Sequence, residues 1–483
     1  MNTARSVRRL AAIPRRLIAP AIALAAGVSI ASGGFLDGAV PPAASAVRLA
    51  AASPLASAGP AGGATAPAGS APPLQLVETF PIETPLDHPA LPEAHEVWLE
   101  MIASAGESLA FAEFYASNEP GSRLEPIIAA IEAAAARGVH VRFLAEEKFY
   151  KTYPATLDRL AAHAGIEVRR YNVGALMGGV LHAKYFLVDD REAFLGSQNF
   201  DWRALTHIQE LGVRLGEPAL VAALAKVFET DWGLAAGEQP ALQLGGSWPP
   251  EASPGKSPGA SLPDASASLP APGASPPGPT ASLPGATVVH IGDAPVRAAI
   301  VASPREWLPP GLAWDLPVIL RMIDGAEATA RIQLLSYRTV GRDGTYFDTL
   351  ESALRRAAAR GVRVEMLLAD WSMRRGTIEG LQSLQALPGI TVKLVTIPLW
   401  SGGFVPYARV IHAKYMVVDG RAAWIGTSNW ERDYFYASRN VGLVIEGAAF
   451  AGQLEGLFRD GWEGPYAHEV DPCASYRPPR IGE

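Results

Sequence analysis

The 483-residue chain contains a single cysteine, Cys473, close to its C-terminus. That excludes an internal disulfide framework and any cysteine-built metal cluster. Cys473 reads as an inert thiol in the tail, residues 473–483. Cations are also in the minority: 41 Lys and Arg stand against 48 Asp and Glu, a net charge of −7. The first 46 residues hold five arginines against Asp37, so a chain without them carries −11. Such a protein has no overall attraction for polyanions, and binding through a broad basic face is excluded. An anionic substrate must be met by a local basic site.

What the chain does have is organised in blocks. Arg5, Arg8, Arg9, Arg15 and Arg16 precede the uncharged stretch Leu17–Leu36, and Ala44-Ser45-Ala46 follows. This is the order of a secretory leader. Residues 1–46 are expected to be a signal peptide or an uncleaved anchor, which exports the protein to the periplasm or the exterior. An uncleaved segment would associate it with a membrane. The 20 residues suffice for a span, but Pro20, Gly27, Gly33 and Gly34 dilute the stretch and favour cleavage. Residues 47–73 and 245–286 are rich in Ala, Pro, Gly and Ser, cannot bury a core, and read as linkers. Between and beyond them lie two segments, 74–244 and 287–472.

These segments repeat one another. A run from Leu124 to Arg137 places Leu124, Ile127, Ile128 and Ile131 on one helical face and stops at Gly138, before VHVRFLA. A run from Phe347 to Arg360 stops at Gly361, before VRVEMLLA. Earlier strands are predicted at 108–115 and 330–337. Strands alternating with helices predict an α/β fold: two similar repeats, each a β-sheet flanked by helices.

The strongest repeat is LHAKYFLVDDREAFLGSQNF (181–200) against IHAKYMVVDGRAAWIGTSNW (411–430). Both read His-x-Lys-x4-Asp-x6-Gly-[Ser/Thr]-x-Asn. The positions are His182, Lys184, Asp189, Gly196, Ser197 and Asn199, then His412, Lys414, Asp419, Gly426, Thr427 and Asn429. HAKYFLV and HAKYMVV alternate as strands do, and on a strand His and Lys two apart share a face. Two such copies facing each other supply two imidazoles, two ammonium groups and two amides around one phosphorus. Lysines, asparagines and the Ser197 and Thr427 hydroxyls would offset the charge that builds on a phosphodiester under attack. One imidazole would form a phosphohistidine; the other would protonate the leaving alkoxide and then activate water. The lysines do the electrostatic work, so no metal or other cofactor is called for. Aromatic residues cluster after the motifs (Phe200, Trp202, Trp430, Tyr434, Phe435, Tyr436), and Trp371 and Trp400 are candidates for the rim of the site.

These motifs resemble those of the phospholipase D superfamily over nearly all of 74–472. LGSQNFDWRALTHIQELGV, VPYARVIHAKYMVVD, IGTSNWERDYF and GWEGPYAHEVD resemble the branch of animal lysosomal 5′ exonucleases and their poxvirus envelope relatives. The resemblance implies mixed sheets packed about a pseudo-twofold axis, Lys and Asn at the phosphate, and structural roles for Asp189 and Asp419. It departs from the animal proteins in lacking their cysteines. In the superfamily the region 28 residues after each motif histidine often supplies a carboxylate to the catalytic imidazole. Here Glu210 stands in that place after His182, and Asn440 after His412. The expectation is that Glu210 supports His182 as nucleophile and that His412 is the acid/base. The expected function is phosphodiester hydrolysis, of phospholipid head groups first. Single-stranded DNA or RNA ends are the alternative substrate. A cardiolipin-synthase-like transferase and a non-catalytic envelope protein are weaker readings. No obligate protein partner is evident.

Overall fold

A computed structural model describes residues 71–239, 283–341 and 344–482. The predicted leader and most of both predicted linkers lie outside the described residues. Among the described residues no helix is long and apolar enough to cross a membrane.

Each repeat forms one mixed sheet, and the two sheets share a strand order. In the first the order is Leu74–Thr79, Ile208–Leu215, Glu192–Gly196, Tyr185–Val188, Ser108–Glu113, His140–Glu146, Ile166–Tyr171. In the second it is Ala294–Ser303, Asn440–Glu446, Ala422–Gly426, Tyr415–Val418, Thr329–Leu334, Arg363–Ala369, Ile390–Val395. Thr287–Ile291 and Ala467–Glu469 extend the edges of the second sheet. Helices cover the sheets, so central strands such as Ile208–Leu215 are buried along their whole length. Tyr185–Val188 and Tyr415–Val418, buried in the same way, accordingly read as continuous apolar runs. The predicted helices appear as Glu125–Ala136 and Thr349–Ala359. Gly138 and Gly361 beyond them adopt φ of +98° and +91°, which a Cβ would oppose.

The motifs fold differently from expectation at their first residues. The strands begin only at Tyr185 and Tyr415. His182–Lys184 and His412–Lys414 lie just ahead of them, because their backbone is used by the opposite repeat. The His182 N–H donates to the Arg439 carbonyl, and the His412 N–H to the Gln209 carbonyl, each at 2.8 Å. Leu181 bridges to Arg439, and Val410–Ile411 pair with Ile208–Gln209. Each histidine is thereby delivered to the other repeat's sheet. A buried ion pair ties the same place: Arg439, fully buried, bonds Asp231 of the helix Pro218–Ala235 at 2.9–3.0 Å.

The motif aspartates hold the hairpin turns. Asp189 and Asp419 sit at φ of +51° and +53°. The Asp189 carboxylate accepts the N–H groups of Gly106, Glu107 and Ser108 at 2.8–2.9 Å. Asp419 accepts those of Glu327, Ala328 and Thr329 at 2.7–2.9 Å. Asp189→Ala is therefore expected to cost about 1–3 kcal/mol of stability, as three donors lose a charged acceptor. Chemical denaturation should show the loss, with kcat of the folded fraction unchanged. The motif glycines serve close packing. A Cβ on Gly196 would run into the Gln198 amide and lie 2.9 Å from Phe194; one on Gly426 would lie 2.8 Å from Trp424.

Candidate active site

The crossed strands set the histidine partners. The His182 Nδ1 lies 3.1 Å from Asn440 Oδ1. Asn440 Nδ2 donates to the Tyr434 and Ser438 carbonyls at 2.7 and 3.3 Å, so its oxygen is the acceptor. His182 must then carry its proton on Nδ1 and present a bare Nε2. The His412 Nδ1 lies 2.8 and 2.9 Å from the two oxygens of Glu210. The expected pairing is thus corrected. Glu210 backs His412, not His182, because residues 28 apart within one repeat end up in opposite pairings.

Burial pushes the His182 imidazole well below its usual pKa, and Lys184 and Lys414 push it further. The same causes act on His412. Burial raises the Glu210 carboxyl to about 8, against the pull of both lysines. The Glu210–His412 pair therefore holds two protons over three atoms below that pH. Whether one sits on the carboxyl or on Nδ1, the other is on Nε2. His182 Nε2 is an electron-pair donor and His412 Nε2–H a proton donor.

Lys184 and Lys414 are buried, and each Nζ donates to the carbonyl of its own motif histidine, at 2.7 and 2.6 Å. Two further N–H groups on each remain for a substrate. Burial lowers Lys414 to about 7, opposed by Glu210, and lowers Lys184 well below its usual value, with Lys414 adding to the effect. An anionic phosphodiester would reverse this penalty and favour the ammonium forms. The buried amide oxygens of Asn199 and Asn429 accept no hydrogen bond from any other described residue. Ser197 and Thr427 do not match their expected phosphate role. Their hydroxyls are held by the backbones of Leu211 and Val441, and Thr427 also donates to Asn440 Oδ1 at 3.0 Å. Ser197 likewise bonds Glu210. They orient the partners of the histidines.

A cleft of about 580 Å³ lies beside His182. Phe114 and Tyr434 flank that ring edge-on, with centroids at 4.9 and 4.8 Å, and both line the cleft with Phe149 and Trp371. Its wall carries Lys148, Arg338, Arg374 and Arg375 against Glu431 and Asp433. Of the aromatics singled out in the sequence, Tyr434 and Trp371 reach the cleft. Phe200, Trp430 and Phe435 are core; Trp202 and Trp400 pack on His207, while Tyr436 packs on Trp314. Sequence reasoning missed Phe114, the basic wall and Glu146. The Glu146 carboxylate accepts the Leu181 N–H at 2.5 Å and so fixes the backbone just before His182.

A family model described as "Cardiolipin synthase, PLD-like domain" matches residues 98–232 and 319–462, the two repeats with their motifs. The chain belongs to the phospholipase D superfamily. It is 30% identical over 426 residues to the 5'-3' exonuclease PLD3 of Macaca fascicularis, covering 83% of this chain and 81% of that one. It is 31% identical over 414 residues to Phospholipase D Y of Dictyostelium discoideum, covering 82% and 92%. The fold is similar to the crystal structure of phosphatidylserine synthase from Haemophilus influenzae Rd KW20, with a TM-score of 0.52 at 11% identity over 78% and 85% of the two chains. As a phospholipase D superfamily member, the protein is a phosphodiesterase with a mixed α/β fold of two like halves.

Proposed function

We propose that this phosphodiesterase removes nucleotides from an end of single-stranded nucleic acid through a phosphohistidine on His182. The observation that carries the substrate class is the cleft wall. Four cations face two acids, interleaved with the aromatic side chains of Phe114, Phe149, Trp371, Tyr407 and Tyr434, on a chain whose net charge is −7. Aromatic faces stack bases without regard to sequence, and cations track the backbone.

In the first step His182 Nε2 attacks phosphorus, the bond to the leaving oxygen breaks, and His412 Nε2–H protonates that oxygen. In the second, a water gives a proton to His412 Nε2 while its oxygen attacks phosphorus and the P–N bond breaks. His182 returns to its neutral form. Lys184, Lys414, Asn199 and Asn429 offset the charge on the equatorial oxygens throughout. The neutral partner Asn440 keeps the resting ring uncharged and leaves the phosphorylated, cationic ring weakly stabilised, so it breaks down readily. Glu210 favours the proton-loaded His412 that departure of an alkoxide requires.

The test is nucleotide release from a 5′-hydroxyl oligonucleotide against choline release from phosphatidylcholine, both in EDTA. Choline release without nucleotide release overturns the substrate class and leaves phospholipid head-group hydrolysis, the second reading. That reading is favoured by the 92% coverage of Phospholipase D Y. Arg374 and Arg375 are exposed, and neither makes an ion pair with another described residue. Replacing both by alanine is expected to lessen the slope of log(kcat/KM) against log salt by about 1.4 on an oligonucleotide. An unchanged slope would remove them from the substrate path.

A further inference from the structure

One buried acid beside the motifs takes no part in the steps above. Glu113 ends the strand Ser108–Glu113, is 1% exposed, and keeps an Oε2 with no hydrogen-bond partner among the described residues. The ladder with Tyr185–Val188 pairs Leu109 with Val188 and Ala112 with Tyr185. One step further along this antiparallel register, Glu113 falls opposite Lys184, where side chains share a face. Lys184 is still held to the hairpin there, because its carbonyl accepts the Gly196 N–H at 3.1 Å. The next residue, Phe114, places its ring 5.0 Å from the Lys184 Nζ.

The second repeat lacks this acid. Its ladder pairs Ala330 with Val418 and Gln333 with Tyr415, so the residue opposite Lys414 is Leu334, which is fully buried. Lys414 instead has Glu210 as its acidic neighbour. Both lysines are thus served by carboxyls, and both carboxyls come from the first repeat.

We propose that Glu113 is a positioning residue, the counter-charge that keeps Lys184 an ammonium while a phosphodiester is bound. A buried amine without an anion beside it gives up its proton. The other charged groups acting on Lys184 are Lys414, which opposes its proton, and Glu210, which lies with His412. Burial raises the Glu113 carboxyl and Lys184 pulls it down. The pair therefore gains or loses its charges together. When the phosphate anion arrives, a proton held on the carboxyl oxygen serves Nζ, one O–H breaking as one N–H forms.

The inference rests on the phosphohistidine chemistry but not on the choice of natural substrate. The full chain is therefore assayed on bis(4-nitrophenyl) phosphate, with His182→Ala as the blank. Hydrolysis by wild type that the blank lacks establishes the chemistry separately. In Glu113→Gln the alkaline limb of kcat/KM is expected to move to lower pH by roughly one unit. Glu113→Leu, which copies the second repeat, should move it the same way. Its thermal midpoint should hold or rise, because the second repeat already carries a buried leucine at this place and an apolar side chain is no worse buried than a neutral acid with an unbonded oxygen. The ¹⁵N titration of the Lys184 ammonium, identified by its absence in Lys184→Arg, should shift with the limb. A limb and a lysine titration superimposable on wild type in both variants overturn the proposal.

Discussion

In His182→Ala, kcat is expected to fall by a factor on the order of 10⁴ or more, with no phosphoenzyme recoverable after acid quench. The size follows from the orientation of the ring. Its Nδ1 proton is fixed by Asn440, and its Nε2 is bare. No other described group combines that state with a place beside the cleft wall. The partner variant separates the roles. His412→Ala lacks the acid, yet a nitrophenolate leaves without one. On a nitrophenyl diester it should release one equivalent in a burst and then stall as phosphohistidine, because no base activates water. A burst from His182→Ala, or a label mapped to residue 412, would reverse the two assignments.

In Glu210→Gln, kcat at pH 7 is expected to fall by about 10²–10⁴. The pH profile carries the stronger signature. In the wild type the Glu210–His412 pair holds its transferable proton up to about pH 8, the value to which burial raises the carboxyl. Activity should fall above that pH as the acid form is lost. With glutamine the imidazole must hold the proton alone, and burial and two lysines set its pKa well below the usual range. The alkaline limb then moves to below about 6.5. The deficit should be smaller at pH 5 than at pH 7. A deficit equal at both would mean that Glu210 only orients the ring. Asn440→Asp tests the same logic from the other side. A carboxylate behind His182 should stabilise the cationic phosphohistidine and slow its hydrolysis.

Much of this was legible in the sequence because its signals are local. The His-x-Lys pairs, the helix-ending glycines Gly138 and Gly361, and the apolar strands each declare themselves within a few residues. The family resemblance then supplied the pairing of the repeats. What was not legible is non-local. Glu210 and His182 are 28 residues apart in one repeat, as are Asn440 and His412, and linear reading pairs them that way. The backbone exchange at Arg439 and Gln209 reverses the pairing, and no periodicity encodes it. Ser197 and Thr427 looked like phosphate ligands because hydroxyls commonly are. The close approach of Leu211 and Val441 to them turns both hydroxyls inward. Glu113 reads as one more charge in SLAFAEFY until the ladder shows which residue it faces.

The exchange of backbone between Leu181 and Arg439, and between Ile411 and Gln209, has a consequence for how such an enzyme can come apart. A single repeat on its own would present an imidazole with nothing behind it and a polar partner with no imidazole to hold. A self-associating pair of identical repeats could restore both contacts, but only with the same partner on each side. Joining two copies in one polypeptide lifts that constraint of symmetry. One position can stay acidic while its twin becomes an amide, and a division of labour between the two rings becomes heritable.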